Sequence, residues 1–147
     1  MDACAELSAL AGRIGADGPT GREFLVRLGT EGAGIRRGPL WMLDAAVAGR
    51  NRLPGRGFAA AFDDGTSGQA RHFAGTAAAA ARLGASLTRF VSVHLRRDPH
   101  DSPDGRLGEQ AIAFAALVLS GDLPVADTPA WITATLCAPP PSPSHGR

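Results

Sequence analysis

Lysine and tyrosine are missing from this chain, and all 15 of its basic residues are arginine. Alanine and glycine abound instead, which reads as the codon bias of a GC-rich bacterial genome and not as a binding device. Net charge is also scarce, a formal +1 over 147 residues of which 20% are charged. That balance supplies no electrostatic case for a nucleic acid or a membrane as an obligatory partner. Long hydrophobic runs are absent. The most apolar one, AIAFAALVL at 111–119, falls short of the roughly 18 residues a bilayer-spanning helix needs. The opening MDACAELSAL has two acids and no basic stretch ahead of an apolar one, so the expectation is a cytoplasmic protein without a secretory leader.

Cysteine is limited to Cys4 and Cys137, near opposite ends, with no C-x-x-C spacing for metal or redox work. A bond between them would close most of the chain, worth roughly 4 kcal/mol or more in the loop-entropy model. A reducing cytosol favours two free thiols instead. Both sit where the ends are expected to be mobile, a poor place for a nucleophile.

What is present is helical spacing. The expected fold is all-α: a compact bundle of about six or seven helices in one domain over residues 1–137, with a disordered Pro- and Ser-rich tail at 138–147. Leu7, Leu10 and Ile14 mark a first helix over 3–14. Phe24, Leu25 and Leu28 mark a second, with Gly29 as its stop. Pro39 opens a third that aligns Leu40, Leu43 and Val47 on one stripe. Residues 50–67 are irregular. A helix then runs from Gly68 to Leu83, where the alanines of 77–81 let a neighbour approach closely. Another covers 86–97, with Leu87, Val91, His94 and Leu95 near one face. Ser102 caps the next, Pro103 suits its first turn, and Asp104 complements its dipole. From Ala111 onward that helix is apolar on every side, the pattern of a helix surrounded by others. Gly121 ends it. A last helix starts at Asp127 or Thr128 before Pro129 and docks Trp131, Ile132 and Leu136 on the core; Trp41 and Trp131 read as core anchors.

Chemistry concentrates in two stretches. DDGTSGQARHFAG places Arg71 and His72 in the first turn of a helix, beside the positive end of its dipole, which would lower the pKa of His72 and poise a neutral base. Arg71 offers a planar fork to a carboxylate or phosphate. Asp63, Asp64 and Gln69 are the candidates to orient these groups or to bind substrate. The bland alternative is a polar helix opening in which Arg71 pairs with a loop acid. In HLRRDPHDSPD, His94 lies on an apolar stripe, and Asp98, His100 and Asp101 crowd the turn before Asp104. Their spacing matches neither a calcium loop nor a zinc site, so no cofactor is expected, and a divalent metal on Asp98, His100 and Asp101 is the weaker option. Glu109 either points inward to Arg71 or His72 or pairs on the surface with Arg106, worth at most about 0.5 kcal/mol. Nucleophile elbows, Walker loops and dinucleotide fingerprints are absent.

The stretches DGTSGQARHFAG, VSVHL and DSPDGRLGEQA together resemble a diffuse group of small helical bacterial domains, some of them toxin-associated. Those begin a helix with Asn/Gln-x-x-Arg-His, follow with a His-Glu helix, and close with an Asp before another helix. The resemblance covers about residues 63–110 and sets Gln69, Arg71, His72, His94 and Asp104 at the matching positions. It departs at Leu95, where the pattern has an acid that Asp98 or Glu109 would have to replace. It implies a polar, hydrolytic site between three helices.

Two functions follow. The first is a small helical enzyme with catalytic Arg71, His72, His94, Asp104 and Glu109, doing acid–base chemistry, hydrolytic in type, on a polar or anionic small molecule. The second is a non-catalytic helical protein that binds a partner protein or a second copy of itself. Convergence of the polar side chains favours the enzyme, and an exposed apolar patch favours the interaction protein.

Overall fold

A computed structural model describes residues 2–46, 49–84 and 102–139. Among them lie six α-helices and no strand: α1 (Ala3–Gly15), α2 (Gly21–Ala33), α3 (Trp41–Ala46), α4 (Gln69–Leu83), α5 (Pro103–Ser120) and α6 (Thr128–Leu136). Single 3-10 turns stand at Ala60–Phe62 and Val125–Asp127. The helix expected over 86–97 and most of the tail lie outside the described residues.

Local chemistry sets most helix ends. Asp2 caps α1 by accepting from the Ala5 amide at 2.9 Å, Thr20 caps α2 through the Glu23 amide at 3.2 Å, and Ser102 caps α5 through the Gly105 amide at 3.0 Å. Each such bond satisfies an amide that the helix leaves without a partner. The second helix does not stop at Gly29. It continues to Ala33 and ends at Gly34, whose φ of 67° is the left-handed turn that glycine adopts without strain. Gly29 and Gly32 serve packing instead. They face Ala74 and Ala78 of α4, and a Cβ at Gly32 would come within 2.9 Å of the Ala74 Cβ. The small residues of α4 thus bring α2 against it, the role expected of the alanine run.

Around this contact lies one core. Phe24, Phe73 and Phe114 are fully buried, and Phe114 sits 5.2 Å from the Phe73 ring centre and 4.9 Å from that of half-buried Trp131. Burying one such ring stabilises the fold by about 1.5–3 kcal/mol. Two apolar expectations change. Ala113, Ala116 and Leu119 of α5 are exposed, so one face of that helix meets solvent. The exposed positions are mostly alanine, whose small side chain makes such a face inexpensive. Leu40 and Leu43 are exposed as well, and α3 starts at Trp41 in place of Pro39. A six-residue helix buries one narrow side, and Trp41 occupies it.

Cys4 and Cys137 form a disulfide across a sequence separation of 133, in place of the free thiols expected on mobile ends. Cys4 is fully buried in α1. Segment 56–59 runs between the joined ends: the Arg56 carbonyl accepts from the Ala3 amide at 2.7 Å, and the Ala59 amide donates to Leu136 at 2.8 Å.

Candidate functional site

The N-termini of α4 and α5 meet at one corner, because the two helices pack along each other from this end. Loop 63–68 enters α4 and Ser102 enters α5, so two positive dipole ends face the same place.

Asp64 is the hub of the loop. Its Oδ1 accepts from the Thr66 amide at 2.9 Å, the Thr66 hydroxyl at 2.6 Å and the Gln69 side-chain nitrogen at 2.7 Å. The side chain of Asp104, reaching over from α5, lies beside this carboxyl and is one of the groups that act on it. Partial burial alone would raise the pKa of Asp64. The Thr66 hydroxyl and amide and the Asp104 side chain outweigh that, and the net shift is downward.

His72 fastens the second helix. It is 9% exposed, and its Nε2 stands 3.0 Å from the backbone carbonyl oxygen of Asp104. A carbonyl accepts only, so Nε2 carries the proton and donates. His72 therefore holds the very residue whose side chain meets Asp64. Gln69 lies between them in the first turn of α4, 2% exposed, and its Oε1 is buried without a partner. An orphaned buried acceptor is uncommon in a packed protein and marks a place where a donor is wanted.

The other expected residues are distributed around this pair. Arg71 is half-buried and folds back over its own helix start, its Nη2 3.0 Å from where a Gly68 Cβ would stand. Asp63 turns away. It forms an ion pair with Arg56 and accepts from the Gly65 amide at 2.9 Å, and Arg56 first, then that amide, hold its carboxyl below the usual range. Glu109 is half-buried on the second turn of α5. Arg106, weighed as its surface partner, sends Nε to the Ala61 carbonyl at 2.8 Å. His94, Asp98, His100 and Asp101 lie outside the described residues. Gln69 stands one residue nearer Arg71 than the Asn/Gln-x-x-Arg-His pattern has it.

Three contributors were not anticipated. Thr66 supplies two of the bonds to Asp64, Arg56 takes Asp63, and Asn51 anchors the loop by donating to the Ser67 carbonyl at 3.0 Å. The Asp-x-Thr spacing at 64–66 is the ordinary signal of a side chain closing its own turn, and it was readable. Among the described residues no three His, Cys, Asp or Glu side chains gather as a metal group. No helix among the described residues is long and apolar enough to cross a membrane. Comparison with protein-family models, curated proteins and solved structures finds no match.

Proposed function

We propose that this corner is the site of a small acid–base enzyme, hydrolytic in type, acting on a polar small molecule. The observation that carries the reading is the meeting of Asp64 and Asp104 where α4 and α5 begin, with His72 of α4 fastened to the Asp104 carbonyl at 3.0 Å. Two neighbouring carboxyls of which one holds a proton provide an acid and a base side by side. Asp64, whose carboxyl Thr66 holds toward its ionised form, serves as the base, and Asp104 serves as the acid. Gln69 orients Asp64, and Arg71 supplies positive charge for an anionic group on substrate or transition state. His72 moves from base to positioning residue, since its Nε2 proton is engaged by the Asp104 carbonyl.

The setting of the reading changes too. A disulfide joining the chain ends suits an oxidising compartment better than the cytoplasm expected from the first residues.

The test is hydrolysis of chromogenic esters, phosphate esters and glycosides and of a fluorogenic peptide, by the unaltered chain, Asp64→Asn, Asp104→Asn and Asp63→Asn. One substrate class should turn over, with losses of about 100-fold or more in the first two variants. Asp63→Asn should stay within a few fold. Failure of every class, or equal rates in all four proteins, would overturn the reading.

A further inference from the structure

The opposite charge collects elsewhere, around α3, in a region the acid–base reading does not use. Residues 36–40 are exposed without interruption, and no atom lies within 4 Å of where a Gly38 Cβ would stand. On this projection Leu40, Met42 and Leu43 are 47%, 57% and 60% exposed. Trp41 is turned inward, with the Arg82 guanidinium 4.8 Å from its ring centre. Three neighbouring large apolar side chains in water mark a contact surface and not random scatter.

Arginines surround them. Arg36 forks onto Asp44 through Nε at 2.8 Å and Nη2 at 3.0 Å, and Arg82 donates to the Arg37 carbonyl at 3.0 Å. The Arg50 and Arg52 side chains crowd Gly34 at the end of α2. Arg22 lies near Arg82, whose pKa is lowered by burial first and by this like charge second. Among the described residues, Asp44 is the one carboxylate recorded against these six arginines. The chain's formal +1 conceals this segregation.

We propose that this corner docks on an anionic lipid surface, with Leu40, Met42 and Leu43 entering the acyl boundary and Arg37, Arg50 and Arg52 meeting headgroup phosphates. Charge complementarity selects the occupant. A second copy would bring the same arginines face to face, and a neutral surface would leave them without counter-charge. A projection from a six-residue helix also suits a fluid that closes around it, whereas a protein partner must offer a fitted recess. This holds whether or not Asp64 and Asp104 are catalytic.

The experiment is co-sedimentation of the full chain with vesicles of phosphatidylcholine alone or mixed equally with phosphatidylglycerol, at low and high salt. Binding should be at least about 10-fold stronger on the anionic vesicles and should weaken with salt. Leu40→Ser/Met42→Ser/Leu43→Ser and, separately, Arg37→Gln/Arg52→Gln should each lower it about 10-fold or more, with far-UV circular dichroism unchanged. Equal partitioning onto both vesicles, or full binding by the apolar triple variant, would overturn the proposal. So would binding to polyglutamate with none to vesicles, which would point to an acidic protein.

Discussion

Two corners of this small molecule treat charge in opposite ways. Where α4 and α5 begin, Asp64 sits among helix N-termini and is held by neutral donors, Thr66 and Gln69. Around α3, arginines outnumber acids among the described residues, and the carboxylate of Asp44 is held by a cation. Among the described residues, the first corner leaves two buried amide oxygens without a partner, those of Gln69 and Asn51. The second sets Asp44 as the one acid paired with these arginines among the described residues, and it presents apolar side chains to water. A polar network that nearly satisfies itself suits a small ligand that supplies the missing partner. A one-sign, apolar surface suits something large and oppositely charged.

The largest way to break this comparison is to remove the disulfide. Cys4→Ser with Cys137→Ser should cost about 4–5 kcal/mol in the loop-entropy model, read as a lower denaturant midpoint. The loss should be uneven. Segment 56–59 is bonded to both joined ends and leads through Arg56 to Asp63, so amide exchange should rise there before it rises in α3. Phe114→Ala should cost about 3–5 kcal/mol and weaken both corners alike, since the ring lies at the centre of the shared core. Ser102→Ala removes one cap, worth about 1 kcal/mol, and should loosen Asp104 while leaving α3 untouched, visible in exchange of the first-turn amides of α5.

Titration sharpens the contrast without unfolding anything. Asp44 is lowered to about 2, chiefly by the Arg36 guanidinium. Its contribution to stability is complete above the unfolded value near 3.8 and fades as pH falls toward 2. Arg36→Gln should return its carbon-detected midpoint toward 3.8, and salt should do so in part. Asp64 is lowered by neutral donors against a burial effect of opposite sign, so Thr66→Val should raise its midpoint while salt moves it little. The smallest effect belongs to Met42→Ser, which should change stability by less than about 0.5 kcal/mol, because that side chain is 57% exposed.

Much of this was legible locally. The course of α4, the Ser102 cap and the end of α5 at Gly121 follow from neighbours within a turn or two. Gly29 misled because a glycine that ends a helix and one that admits another helix look alike until the partner, Ala78, is known. Leu40 and Leu43 misled for a related reason: apolar spacing says which residues share a side, and not whether anything covers it. At the site, Arg71, His72, Gln69, Asp64 and Asp104 were all candidates from their types and positions. That His72 meets Asp104 across 32 residues could not be read, since it depends on how α4 and α5 pack. The disulfide was hidden likewise, because cysteine spacing carries no distance in space.

The Cys4–Cys137 bond also changes what a cut in this chain means. With its ends covalently joined, the backbone between them is topologically a ring. A protease that severs it once anywhere inside opens the ring without dividing the molecule. The fragments would migrate together until a reductant parts them, and a nicked population would pass for whole under non-reducing conditions. New termini could likewise be placed at an exposed loop while the old ends stay held by sulfur.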